Sequence, residues 1–349
     1  MAAESRLTID LDALAANFHA LAAQAAGAEV APVVKADGYG LGAGPVARRL
    51  WAEGARSFFV ARLSEGEALR TALGDRAATI RVLDGATLGA HARLKAAGLT
   101  PVLSTAEQVG YWRGVEAGPV SVHVDTGMNR LGLSLEEAAA IPGVELAMSH
   151  LGNAAEPGHP RNAAQLACFR EVRARFPDAR ASLSASAGIF LGPDYRFDMV
   201  RPGISLYGGG PRETPDARIG AVVTLDAPIL QVRDLKAGDA VGYGAMFTAA
   251  RPMRVAVVGG GYADGVLRTS HAQAAGWLGG VRLPFLVVTM DMIVVDIGEL
   301  PNARPGDRVE LLGPHAPLDD LAATAGSVAH EILVRISGRA ERRYLGEAV

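Results

Sequence analysis

Eight short apolar, β-branched runs recur at fairly even intervals in the first two-thirds of the chain, and each ends near a polar or glycine-rich turn. They span 30–35, 57–61, 80–83, 100–104, 120–125, 145–149, 181–186 and 197–201. Amphipathic segments at 44–53, 64–72, 107–113 and 162–176 lie between them. Strands that alternate with helices pair in parallel, and eight such units close a (β/α)8 TIM-type barrel. Ser64 with Glu67 reads as a capping box opening the helix over 64–72. In this architecture reacting groups gather at the carboxyl ends of the strands. Here those ends carry Lys35, Asp125, Arg130, His150, Ser186 and Arg201, whereas the strand beginnings are bland.

The texture changes after about residue 222. Segments 222–232, 254–258, 282–288, 292–297 and 307–312 are β-rich and separated by turn signals such as Lys236-Ala237-Gly238-Asp239. This predicts a barrel domain over 1–222 and a mostly β domain over 223–349, with 5–10 a candidate strand of the second. The second domain holds Gly259-Gly260-Gly261-Tyr262-Ala263-Asp264-Gly265. A tyrosine set in so much glycine implies close approach of backbone to something, although a glycine-rich hairpin with a packed Tyr reads equally well from this stretch alone.

Lys35 lies in Val33-Val34-Lys35-Ala36-Asp37-Gly38-Tyr39-Gly40 and is one of three lysines, with Lys95 and Lys236, against 31 arginines. Where a generic positive charge suffices, this chain uses Arg. A desolvated lysine amine can lose its proton and attack a carbonyl, which a guanidinium cannot. Lys95 and Lys236, on a helix and in a turn, read as solvated.

Other chemistries fit less well. Gly38-Tyr39-Gly40-Leu41-Gly42-Ala43 matches the loose dinucleotide fingerprint, but the second strand ends Phe59-Val60-Ala61-Arg62 without the ribose-binding acid. His150 and His159, nine apart with Glu156 between, have no familiar metal spacing, so no metal is expected. One cysteine, Cys168, precludes an internal disulfide framework. A net charge of −3 gives no reason to expect nucleic acid or anionic membrane as a partner, and no uninterrupted apolar run reaches membrane-spanning length. With no signal-peptide core near the N-terminus, a cytoplasmic protein is expected.

Several motifs together carry a specific likeness. Thr8-Ile9-Asp10-Leu11-Asp12-Ala13-Leu14, the Lys35 motif, Asp125-Thr126-Gly127-Met128-Asn129-Arg130-Leu131-Gly132, Met148-Ser149-His150-Leu151, Arg201-Pro202-Gly203-Ile204-Ser205-Leu206-Tyr207-Gly208, the Tyr262 motif and Met290-Asp291 occur in this order. Over nearly its whole length the chain resembles the bacterial alanine racemases, enzymes that use pyridoxal 5′-phosphate and consist of a barrel and a C-terminal β domain. The resemblance implies interconversion of L- and D-alanine, supplying D-alanine for peptidoglycan. It implies that Lys35 bonds to the cofactor and acts as a base on one face, and that Tyr262 acts on the other. It further implies that Tyr39, Ser186 and the amides of Gly203 and Ile204 bind the phosphate. Arg201 would face the pyridine nitrogen, with His150 hydrogen-bonded to Arg201 or to the ring surroundings. Arg130, with the Met290 region, would receive the substrate carboxylate. A head-to-tail homodimer with shared active sites is the implied assembly.

Three positions depart from the family pattern. His123 stands where many relatives carry a carbamylated lysine, Ala185 where Asn is usual, and Gly338 where a phosphate-binding tyrosine often lies. The last two loosen the pocket, so a broader racemase for small amino acids such as serine is the alternative within enzymes. A non-catalytic pyridoxal-phosphate barrel is the alternative outside them. The residues after the barrel, Tyr262 among them, speak against a single-barrel carrier.

Overall fold

The computed structural model describes residues 4–114, 118–298 and 300–346. Its contacts divide the chain into two compact units. One is built from Leu14–Leu206 with a short stretch near 211. The other is built from Glu213–Gly346, joined by Tyr207–Gly209 and the N-terminal residues through Ala13. The candidate strand over 5–10 thus lies with the second unit, whose main body begins at Glu213.

In the first unit, strands Ser57–Val60, Thr79–Val82, Leu99–Leu103, Val120–His123, Val144–Met148 and Arg180–Ser182 form one parallel sheet in sequence order. Glu29–Val30 and Met199–Val200 pair in parallel beside it. Parallel bridges Val33–Phe59 and Ala185–Arg201 join the pair to both edges of the six-stranded sheet. The joins are hydrogen-bonded: Val34 N donates to Phe59 O at 2.8 Å and Arg201 N to Ser184 O at 2.8 Å. Eight parallel strands thus close into a ring that leaves no edge unpaired. Four of the eight strands are buried at every position, as expected where both faces are covered.

Helices Ala43–Ala52, Leu63–Leu73, Ala106–Arg113 and Pro160–Arg175 occupy the expected amphipathic segments. The expected Ser64–Glu67 capping box does not form. The helix begins at Leu63, and Glu65 accepts from the amides of Ala61 at 2.7 Å and Arg62 at 3.1 Å, while Glu67 pairs with Arg93. The cap sits two residues earlier because an acid in the first turn can reach back to the amides that precede it. After the last two strands the chain makes 3-10 turns, Ala187–Phe190 and Ile204–Tyr207, in place of full helices.

The second unit holds a mostly antiparallel eight-stranded sheet organised by one long strand, Val223–Leu235. That strand pairs with Arg6–Asp10, Met253–Val258 and Arg308–Leu312, and its pairing to Met253–Val258 closes the sheet. Arg6–Asp10 also lies parallel to Glu341–Leu345, so both ends of the described chain meet in this sheet. Helices Leu318–Thr324 and Ala329–Arg335 and strands Ala275–Leu278 and Glu341–Leu345 were not expected from the sequence. Glu341–Leu345, half-exposed along its length, gives no apolar alternation to read. Among the described residues no helix is long and apolar enough to cross a membrane.

Candidate active site

Lys35 follows the first barrel strand and opens a turn of unusual handedness. Ala36, Asp37, Gly38, Tyr39 and Gly40 all have positive φ, between 52° and 82°. A left-handed turn disfavours residues with a Cβ by about 1–2 kcal/mol each, so it persists only when its surroundings hold it. Here the holding groups are identifiable. Glu65 Oε1 accepts from Ala36 N at 2.9 Å, Asp37 Oδ1 accepts from Ala43 N at 2.8 Å, and Gly40 N closes on Ala36 O at 2.7 Å. Glu65 therefore ties the lysine turn to the end of the neighbouring strand. This role is not legible in the sequence, because Ala36 lies 29 positions away.

Burial, and then the Arg130 guanidinium, lower the Lys35 amine from its ordinary range, with Glu65 and Asp84 opposing. Burial first, then Arg201 and Arg130, push the imidazole of His123 down to about 4 and that of His150 down to about 3. Both histidines are thus neutral near pH 7. Arg201, only 3% exposed, is brought down to about 9 by burial and keeps its proton. Its guanidinium donates to Ser182 O at 2.9 Å, Ser182 Oγ at 2.5 Å, Ser149 O at 2.6 Å and Leu183 O at 3.4 Å. The expected hydrogen bond between His150 and Arg201 is absent, because these backbone carbonyls and the serine occupy the guanidinium. No carboxylate is among its hydrogen-bond partners.

A second cluster gathers around Ser186. Its Oγ accepts from Gly203 N at 3.0 Å and Ser205 N at 3.2 Å, which folds the Gly203–Ile204 turn over the serine. A Cβ on Gly203 would overlap the phenol oxygen of Tyr39, so only glycine fits there. The Ser205 hydroxyl is fully buried without a hydrogen-bond partner. A buried tyrosine, two serines and tightly turned amides make a cradle of the kind that receives phosphate oxygens. Lys35, Arg130 and Arg201 supply the positive charge, so the residues present fit a pyridoxal phosphate.

Arg130 stands at the exposed end of a loop organised by Asp125. One Asp125 carboxylate oxygen accepts from Gly127 N and Met128 N, each at 2.9 Å, and the other from Asn129 N at 3.0 Å. These amide bonds hold the carboxyl below its usual range against the opposing effect of burial. Thr126 Oγ1 meets Ser149 Oγ at 2.8 Å, and Gln165 donates to Thr126 Oγ1 at 3.4 Å and His150 O at 2.9 Å, which joins this loop to the end of the neighbouring strand Val144–Met148.

In the second unit, Tyr262 N donates to Thr289 O at 3.1 Å and Ala263 N to Met290 O at 3.0 Å. A Cβ on Gly261 would overlap both of those carbonyl oxygens, the close approach that the glycine run implied. Tyr262 and Met290 share one exposed surface of this unit, at 41% and 52% exposure. The structure thus gathers Lys35, Tyr39, Arg130, His150, Ser186, Arg201, Gly203 and Ile204 in the first unit, and Tyr262 with Met290 in the second. Among the described residues, no group of three or more His, Cys, Asp or Glu is disposed to hold a metal.

Family models agree with this division. The model for "Alanine racemase, N-terminal domain" matches residues 9–211, and that for "Alanine racemase, C-terminal domain" matches 222–344. The chain is 44% identical over 357 residues to the alanine racemase of Methylobacterium nodulans, covering 98% of this chain and 96% of the relative. It is 44% identical over 360 residues to the catabolic alanine racemase of Agrobacterium fabrum, covering 98% and 92%. The crystal structure of alanine racemase from Bartonella henselae with covalently bound pyridoxal phosphate matches with a TM-score of 0.92 and 36% identity. That match covers 99% of this chain and 100% of the other.

Proposed function

Because the chain belongs to the alanine racemase family, and so interconverts L- and D-alanine with pyridoxal 5′-phosphate, we propose that Lys35 and Tyr262 move the α-proton on opposite faces of the substrate. When bound, the cofactor supplies the electron sink without which that proton is too weakly acidic to remove. The observation that carries the Lys35 assignment is its amine, lowered by burial and by Arg130 and presented from a left-handed turn. An amine that is charged less of the time is more often free to accept a proton, and the turn fixes where it does so.

Inverting a stereocentre needs a second group on the far face. Tyr262 takes that role, and its phenol is a weak acid suited to returning a proton. Arg130 receives the substrate carboxylate with its planar fork, together with the Met290 region. Arg201 would stand against the pyridine nitrogen of a bound cofactor. Its neutral hydrogen-bond partners leave the guanidinium charged and unwilling to part with a proton, which limits charge build-up on the ring and favours prompt reprotonation over side reactions. Tyr39, Ser186 and the amides of Gly203 and Ile204 hold the phosphate. His150, kept neutral, packs beside Arg201 without taking up positive charge.

The assembly that completes this reading is a head-to-tail homodimer in which Tyr262 and Met290 of one subunit serve Lys35 of the other. The product D-alanine would enter peptidoglycan, which rescue of a D-alanine-requiring bacterium by the gene would support. One observation favours a second, broader specificity: a Cβ on Gly338 meets nothing within 4 Å, so the position expected to carry a phenol is open.

The test is a racemisation assay against a panel of L-amino acids with visible absorbance recorded, on wild type and on Lys35→Ala, Lys95→Ala and Lys236→Ala. Alanine should be turned over fastest, and only Lys35→Ala should lose the cofactor band. Cofactor trapped by borohydride on a peptide containing Lys95 or Lys236 would overturn the Lys35 assignment.

A further inference from the structure

The loop that bears Tyr262 is held by a buried carboxylate to which the proton-transfer reading assigns no part. Asp264 is 3% exposed, and its two oxygens are both committed. Oδ2 accepts from Gly261 N at 2.9 Å, the residue just before the tyrosine, and Oδ1 accepts from Ser5 Oγ at 2.8 Å. Arg339 Nε lies 3.9 Å from Oδ1, and the same guanidinium donates to Asp291 Oδ1 at 2.7 Å, beside Met290. Ser5 is itself fixed by the sheet, because Glu341 N donates to its carbonyl at 2.9 Å where the first and last strands run together. Tyr262, by contrast, is 41% exposed. Within its own subunit the ring has little packing, so its backbone sets where it leaves the surface.

We propose that Asp264, anchored by Ser5 from the N-terminal strand and by Arg339, is a positioning residue that sets where the Tyr262 phenol stands. The proposal rests on the reading of Tyr262 as one of the two proton-transfer groups. Ser5 lies 257 positions from Tyr262 in the sequence and acts only through the Asp264 carboxylate. Proton transfer falls steeply with small displacements, by up to about a hundredfold for 1 Å. Loosening the anchor should therefore slow the tyrosine-side proton and leave the lysine side untouched.

The experiment measures α-deuterium incorporation from solvent into L-alanine and D-alanine separately, on the cofactor-loaded enzyme. Tyr262→Phe identifies which enantiomer depends on the tyrosine. Ser5→Ala and Asp264→Asn should then slow exchange of that same enantiomer by about tenfold, with the other enantiomer and the visible absorbance unchanged. Ser5→Thr, which keeps the hydroxyl, should restore it. In Asp264→Asn the amide oxygen can accept from Gly261 and the amide nitrogen can donate to Ser5, so the fold is expected to survive while the charge that faces Arg339 is lost and the anchor loosens; if it does not fold, Ser5→Ala decides the matter alone. Equal slowing of both enantiomers, or none in a folded Ser5→Ala, overturns the positioning role while the Tyr262 reading stands. Loss that is not one-sided in Tyr262→Phe itself overturns both.

Discussion

Three residues of the barrel mouth are tuned by the same physical cause, removal from water. Burial lowers Lys35 towards use as a base and holds His123 and His150 neutral, with nearby guanidiniums adding to the effect. The histidines have a consequence for stability. An unfolded imidazole titrates near about 6.5, so between that pH and about 4 for His123, or about 3 for His150, the unfolded chain binds more protons than the folded one. Their contribution is fully present above pH 6.5 and is lost as pH falls towards those values, on the order of a few kcal/mol by pH 4. Urea midpoints compared at pH 7.5 and 4.5 should show this, with a shallower acid loss in His123→Gln; an unchanged slope would remove His123 from the account. Gly338 offers a second residue-scale prediction. Its φ is outside the left-handed region and its Cβ position is open, so Gly338→Tyr should fold. A phenol donating to phosphate contributes about 1.5–3 kcal/mol, so the variant should lose cofactor more slowly on dialysis and turn over alanine better relative to serine. Wild-type values for both would make Gly338 only a turn residue.

The element that most affects the chemistry is the left-handed turn from Ala36 to Gly40. Nothing in local preference favours it, since Ala36, Asp37 and Tyr39 all carry a Cβ at positive φ. It exists because Glu65 and Asp37 absorb amides that would otherwise be unpaired. Glu65 takes three amide donors across two segments, and its replacement by Gln puts an NH2 group where an acceptor is needed. Glu65→Gln should destabilise the fold by about 1–3 kcal/mol and slow cofactor uptake, read by urea titration and by the growth of visible absorbance in the apo-protein. Unchanged uptake in a destabilised variant would mean that the turn is held by Asp37 and its own backbone bonds.

For the whole molecule, the proposed sharing of active sites predicts complementation between inactive variants. Lys35→Ala and Tyr262→Phe are each expected to be inactive as racemases. In a two-fold dimer with shared sites, co-expression yields hybrids in which one site of two carries both intact residues, about a quarter of wild-type activity overall. Sites complete within one subunit also place one intact residue beside one mutated residue in each, and no mixing restores activity. The hybrid assay therefore tests the sharing directly, and sedimentation of wild type tests the dimer.

Much of this was legible in the sequence. The eight β-branched runs determined the barrel, because strands covered on both faces must be apolar throughout and must end in polar turns. Lys35 stood out at a strand end because a desolvated lysine amine can do chemistry that a guanidinium cannot, whereas the role of Arg201 came from the family resemblance. The tight backbone approach at Gly261 was legible too, since only glycine tolerates it. What the sequence did not reveal depends on pairs distant along the chain. Only the folded structure brings the Glu65 carboxylate to the amide of Ala36. Ser5 opened a candidate strand of the second domain, but only the pairing of the first and last strands sets its hydroxyl against Asp264. The partners of Arg201 have the same origin: the strand ends bring Ser149 and Ser182 to the guanidinium, which no local pattern could show. Periodicity reports burial along one segment, whereas hydrogen-bond partners are chosen by tertiary packing.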